Sequence, residues 1–318
     1  MPAGGQSRAP GASDQSTYTR LVVSSEQPLP LPRAEYALLG RSGTEPAALP
    51  GTDTRTSVVL GPTAFPTPFG STPDLEFLTL RTDSGELRRL VFVRPVPAPA
   101  PSLEPGLQGR EHRSLALFWA LREAGVVRIV AESGAASITQ HFHPRDLVIP
   151  HDFIDFTPQR SGWLSPGHSV SMREPFCPDI REVLWQRSRR FAAEKATRAF
   201  NRAIHASVEG PRAETAAEVA ALARLGGDVI SQGVTPDVYL AREIGACFGT
   251  VEMVLNYAEG VRPEWDFELL RAIIREGAEE LGKVALDALA ALPTERTCLC
   301  AARPSTPEGG TAEGLLSA

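Results

Sequence analysis

Glu209-Gly-Pro-Arg-Ala-Glu-Thr-Ala-Ala-Glu218 opens the stretch on which the fold turns. It continues as Leu225-Gly-Gly-Asp-Val-Ile230, Thr235-Pro-Asp237, Ala241-Arg-Glu-Ile-Gly245 and Asn256-Tyr-Ala-Glu-Gly260. Thr215-Ala-Ala-Glu218 has capping-box spacing, in which the hydroxyl takes the N3 amide and the glutamate reaches back to the cap amide. A helix through Arg224 is therefore expected. A brief strand follows at 228–231, then a helix over 236–245 that begins on proline, where a missing donor is harmless. The apolar run 247–255 reads as the last strand and 265–292 as a long amphipathic helix.

Towards the N-terminus the alternation continues. Residues 203–208 form a strand candidate, 180–197 a helix with a basic outer face, and 147–149 and 153–154 short strands. The β-branched run 126–131 suits a buried strand, with Glu132-Ser-Gly-Ala-Ala-Ser137 read as a small-residue turn after it. A helix at 114–123 stops at Gly125, a residue type that tolerates a left-handed cap. Earlier strands are expected at 34–40, 57–60, 75–82 and 87–93, the first running into Gly40-Arg-Ser-Gly43. Prolines then crowd 94–106, where neither helix nor central strand persists. Alternating strands and helices indicate an α/β fold of three layers, a mixed central sheet flanked by helices. The domain spans 34–292, between a disordered segment at 1–33 and a flexible tail at 293–318.

Composition bounds the function. The chain has 318 residues, 42% of them apolar, and a net charge of −6. With no basic stripe to displace counterions, nucleic-acid binding is not expected. No apolar run is long enough to span a bilayer, and no apolar segment follows the first residues, so a cytoplasmic protein is expected. Cys177, Cys247, Cys298 and Cys300 are too few and too scattered for a disulfide framework. Cys298-Leu-Cys300 offers only two thiols where structural zinc wants four ligands, so no metal site is expected.

In order and spacing, the stretch 203–260 resembles the trimeric purine nucleoside phosphorylases. Upstream, His151-Asp-Phe-Ile-Asp-Phe-Thr157 and Met172-Arg-Glu-Pro-Phe-Cys-Pro-Asp-Ile-Arg-Glu-Val183 look like methylthioadenosine phosphorylase. The resemblance runs from about Ala34 to Leu292 and is densest after residue 112. It implies a homotrimer that converts a purine nucleoside and phosphate, the co-substrate, to free base and pentose 1-phosphate, with no other cofactor. A shared fold alone does not carry that chemistry.

The resemblance places Glu214 and Asn256 at the purine edge, with Gly134 and Ala135 beside them. A carboxylate accepts from N1–H of a 6-oxopurine, and an amide both accepts and donates around O6 and N7. Glu214 could equally serve a helix dipole, and Asn256 a strand-end turn. Ser42, Arg94 and Ser133 are expected at the phosphate, and Gln232 at the ribose. Pro95 stands where the family has histidine and Gly233 where it has a hydroxyl, so phosphate binding is expected to be weak. Glu132, at the phosphate side, would repel a dianion or orient a water as general base. Three outcomes stay open: phosphorolysis of a 6-oxopurine or methylthio nucleoside, phosphate-independent hydrolysis, or a noncatalytic purine-binding paralogue. His168 and His205 are placed near the sugar in some relatives. His141-Phe-His143 reads as a loop or subunit contact.

Overall fold

The computed structural model describes residues 30–41, 54–94, 107–158, 164, 170–210, 212–264 and 266–302. Thirteen strands and five α-helices alternate along them. The strands are β1 (Tyr36–Gly40), β2 (Thr56–Thr63), β3 (Pro66–Thr67), β4 (Gly70–Ser71), β5 (Leu75–Arg81) and β6 (Leu87–Val93). After helix α1 (Leu107–Ala124) come β7 (Arg128–Ser137), β8 (Leu147–Val148) and β9 (Asp152–Asp155). Helix α2 (Pro178–Lys195) is followed by β10 (Ala199–Phe200), β11 (Ile204–Ser207), α3 (Ala216–Arg224) and β12 (Val229–Ser231). The described residues end in α4 (Asp237–Glu243), β13 (Cys247–Tyr257), α5 (Phe267–Ala291) and a 3₁₀ turn at Cys300–Ala302.

Eleven strands make one mixed sheet in the order β10-β8-β13-β7-β1-β6-β5-β2, with β12, β11 and β9 branching from β7. The three layers follow from period-two alternation. Tyr36 and Leu38 face the cluster under α2 and α5, whereas Ala37 and Leu39 face the opposite cluster under α1 and α4. Both faces of the central strands are covered, which explains why β1 is buried along its whole length. A smaller cluster of Val219, Leu222, Ala206 and Ile230 seats α3 on the branch.

Most expected elements are present, with two differences. Residues 132–137 are not a turn: β7 continues through them to Ser137. Small side chains there serve a strand that is paired along β13 while its other neighbour changes. Residues 293–300, assigned by sequence to a tail, are held against the domain. Arg128 Nη2 donates to the Glu295 carbonyl at 2.6 Å, and Asp179 Oδ1 accepts from Thr297 Oγ1 at 2.7 Å. Of the two expected loose ends, 1–29 and 303–318 lie outside the described residues, as does the proline-rich 95–106.

Candidate active site

The site follows from the branch on β7. Strand β1 accompanies one edge of β7 until Gly40 lies beside Glu132, and β12 takes up the same edge, antiparallel, only at Ala136. Residues 133–135 thus have β13 on one side and, among the described residues, no ladder on the other. In α/β folds such a change of neighbour opens a crevice beyond the carboxyl ends of the strands. The chain leaving β12 runs back along this edge so closely that a Cβ at Gly233 would lie 2.6 Å from Ser133 Oγ. The absence of a hydroxyl side chain at 233 therefore has a steric reason. Gly134 packs closely under Leu255, whose Cδ1 would lie 2.5 Å from a Cβ there.

Two cations follow the carboxyl ends of β1 and β6, and both hold carboxylates. The Arg41 amide donates to the Glu132 carbonyl at 2.9 Å and to Glu132 Oε1 at 3.2 Å. Its guanidinium reaches Asp237 Oδ2 through Nε at 2.9 Å and Nη2 at 2.7 Å. Arg94 follows β6, whose Val93 is in register with Leu39, and its Nη2 donates to buried Glu76 at 2.8 Å. An anion here must share these guanidiniums with Asp237 and Glu76, and shared donors bind it less well. Ser133 Oγ donates to the Gly134 carbonyl at 3.1 Å. The Gln232 amide lies over Gly210, where a Cβ would be 2.7 Å from Oε1.

On the other side stands Asn256. It follows a register shift in β13, lies opposite Ala136, and donates from Nδ2 to the Tyr257 carbonyl at 2.8 Å. The turn beyond it reaches the start of α3, because a Cβ at Gly260 (φ +78°) would lie 2.7 Å from Ala216 Cβ. The capping box is complete there: Glu218 N donates to Thr215 Oγ1 at 3.3 Å, and Thr215 N to Glu218 Oε2 at 2.7 Å. Hydrogen bonds from Arg212, then the Thr215 amide, hold the Glu218 carboxyl at about 2 instead of its ordinary 4.5. Glu218 is thus committed to the helix. Glu214, half-buried one residue before the cap, makes no hydrogen bond among the described residues.

The branch therefore brings together Glu132, Ser133, Gly134, Ala135 and Gln232. Asn256 stands on the adjacent strand, Glu214 before α3, and Arg94 at the end of β6. Ser42 and His168 lie outside the described residues. His205 is fully buried, with Nδ1 2.8 Å from Oε1 of equally buried Glu252. His141 packs its ring on Phe142 and Phe200 while His143 leans towards Tyr257, so the two imidazoles have separate neighbours. A depression of about 300 Å³ beside α3, lined by Gln140, Val219 and Glu259, contains none of the expected site residues. Sequence reasoning missed Arg41 and its partner Asp237, although both lie inside motifs it quoted.

Comparison with known proteins agrees with this architecture. Residues 85–290 match the model of the Phosphorylase superfamily. A probable S-methyl-5'-thioinosine phosphorylase of Methanothermobacter thermautotrophicus is 31% identical over 239 residues, which cover 74% of this chain and 78% of the relative. The 6-oxopurine nucleoside phosphorylase of Pyrococcus furiosus is 35% identical over 194 residues, 58% of this chain and 72% of the relative. A solved methylthioadenosine phosphorylase from an Antarctic soil metagenomic library shares the fold, with a TM-score of 0.66 at 23% identity, covering 88% of this chain and 96% of its own. The family model covers more than half of the chain, and the chain belongs to the phosphorylase superfamily.

Proposed function

We propose that this chain catalyses reversible phosphorolysis of a 6-oxopurine nucleoside, or its 5'-methylthio counterpart, to free base and pentose 1-phosphate. The observation that supports this reading is the change of neighbour on β7 beside residues 133–135, with Gly233 against Ser133, the Arg41 amide on Glu132 and Asn256 on the neighbouring strand. In this reading Glu214 accepts from N1–H, Asn256 stabilises charge on the departing purine through O6 and N7, and Gly134 and Ala135 line the base slot. Gln232 meets the ribose. Ser42, Arg94 and Ser133 bind phosphate beneath the anomeric carbon, where a dianion stabilises an oxocarbenium-like state. Arg41 adds a cation to that set. The names of relatives acting on 6-oxopurine and methylthio nucleosides support the substrate class.

Phosphate is the co-substrate and binds weakly, because Arg41 and Arg94 already hold carboxylates. That same pairing favours a second reading, phosphate-independent hydrolysis with Glu132 orienting water. The test is release of base from inosine, guanosine, methylthioinosine and methylthioadenosine, with and without phosphate. Phosphate-dependent release with 6-oxopurines preferred is expected. Equal release without phosphate overturns phosphorolysis, and no release with retained base binding leaves a noncatalytic binder.

The working unit in this reading is a cytoplasmic homotrimer, with α2 and the loop 141–144 as contact pieces. No helix among the described residues is long and apolar enough to cross a membrane. Light scattering checks the assembly: a trimer mass is expected, and a monomer mass at micromolar concentration rejects it.

A further inference from the structure

The cysteines that the sequence reading kept apart converge on one point. Cys177 precedes α2, Cys247 opens β13, and Cys298 and Cys300 lie beyond α5, yet all four Sγ atoms fall within 4.8 Å of one another. Chain reversal around β13 brings them together, which spacing along the sequence does not reveal. Three are buried and Cys298 is half-buried. Nothing in the proposed chemistry uses them. Cys247 starts β13 and Asn256 lies near its other end, so at about 3.3 Å per residue the cluster is roughly 30 Å from the purine edge.

We propose that these four thiols hold one structural zinc ion. A tetrahedral ion with Zn–S bonds of about 2.3 Å sets its sulfurs about 3.8 Å apart. The cluster already spans that separation, from 3.4 Å between Cys247 and Cys298 to the 4.8 Å limit for the set. Its ligands are all soft sulfur, which selects zinc over magnesium or calcium. With four protein ligands the coordination shell is closed, which makes the site structural and not catalytic.

Two guanidiniums lie near the cluster, one of which, Arg128, also faces the Asp179 carboxylate at 4.0 Å. On binding, each thiol gives up its proton, so four thiolates around a divalent ion carry two net negative charges. Arg128, fully buried, is in register with Cys247 on the neighbouring strand, and Arg242 lies close enough for its charge to act on Cys300. Each of these guanidiniums has a buried Nη1 with no hydrogen-bond partner among the described residues. Cys177 occupies the N-cap of α2 without a side-chain cap bond, where the helix dipole favours a thiolate. The ligand loop is also held in place without metal, since Asp179 accepts from the amides of Thr297 at 3.0 Å and Cys298 at 3.3 Å. Zinc would staple residues 298–300 to the starts of α2 and β13.

The test is metal analysis of the full chain, purified without a histidine tag or chelator. About one zinc per chain is expected in the wild type and none in Cys298→Ser/Cys300→Ser. Because that variant can lose its fold, the wild type is also loaded with cobalt(II) after zinc removal; the intense visible bands of a tetrahedral thiolate site are expected. Zinc removal should lower the melting temperature while base binding by the refolded chain at low temperature persists, which separates this site from the crevice. Wild-type protein without zinc, its thiols free or joined in disulfides, overturns the proposal. So does a cobalt spectrum without thiolate bands.

Discussion

The paired strands β7 and β13 have two unlike ends. At their N-terminal ends Arg128 and Cys247 stand in register and are covered by α2 and the segment after α5, with the polar atoms of Asp179 and Glu295 engaged. At their C-terminal ends the side chains shrink to Ser133, Gly134 and Ala135, a neighbour is exchanged, and Asn256 and Glu214 remain half-buried. One end is closed by long-range contacts; the other, among the described residues, lacks a ladder along one edge of β7. Under the proposed function, stability and chemistry are separated along a single pair of strands, because the residues proposed for the purine edge are not those that fasten the helices.

Substitutions at the two ends should therefore fail in different ways. The largest effect is expected at the open end: Asn256→Ala should lower kcat/KM by about a thousandfold, the scale of a lost transition-state donor, with little change in melting temperature. A melting shift without kinetic loss would erase the distinction. Next, Arg41→Ala should raise the KM for phosphate by about tenfold to a hundredfold, the worth of one charge-assisted hydrogen bond, with the nucleoside KM nearly unchanged. Steady-state kinetics varying each substrate separately would check it.

Between the ends, Gly249→Ala should do the reverse. Its Cβ would lie 2.4 Å from Ile180 Cγ2 under α2, so overpacking should cost about 1–3 kcal/mol in denaturant titration while kcat stays near wild type. Smaller again, Thr215→Ala removes the cap of α3 and should cost about 1 kcal/mol. The smallest effect is a pH dependence. Since Glu218 titrates near 2 when folded, its contribution is full above its ordinary 4.5 and fades as pH falls towards 2. The stability gap between wild type and Glu218→Gln should shrink over that window and be constant above it.

What sequence could reveal depended on range. The capping box of α3 was legible because Thr215 and Glu218 need only each other and two amides. The strand at 34–40 was legible for the same reason, a short apolar run entering a glycine turn being a local signal. β7 was cut short at Ala131 because Ser133, Gly134 and Ala135 have the composition of a turn; only β13 alongside makes them strand. Glu132 to Ala135, Gln232 and Asn256 were named by resemblance; residues 132–135 lie at the branch, Gly233 packs on Ser133, and Asn256 stands on the adjacent strand. Arg41 was passed over inside Gly40-Arg-Ser-Gly43 because its partner Asp237 is distant in sequence. The cysteine cluster was unreadable for that reason too, since Cys247 and its neighbour Cys298 are 51 positions apart.

The missing ladder beside residues 133–135 has a consequence for solvent exchange. Amides in the middle of a buried strand are ordinarily among the slowest to exchange hydrogen, because they are released only by large-scale opening. In β7 those directed away from β13 between Glu132 and Ala136 have no strand partner among the described residues, although Ser133 and Ala135 are nearly inaccessible. The strand should therefore carry a fast-exchanging window between two slow segments. Deuterium uptake through that window reports directly on whether the crevice is occupied, without a labelled substrate or a turnover assay.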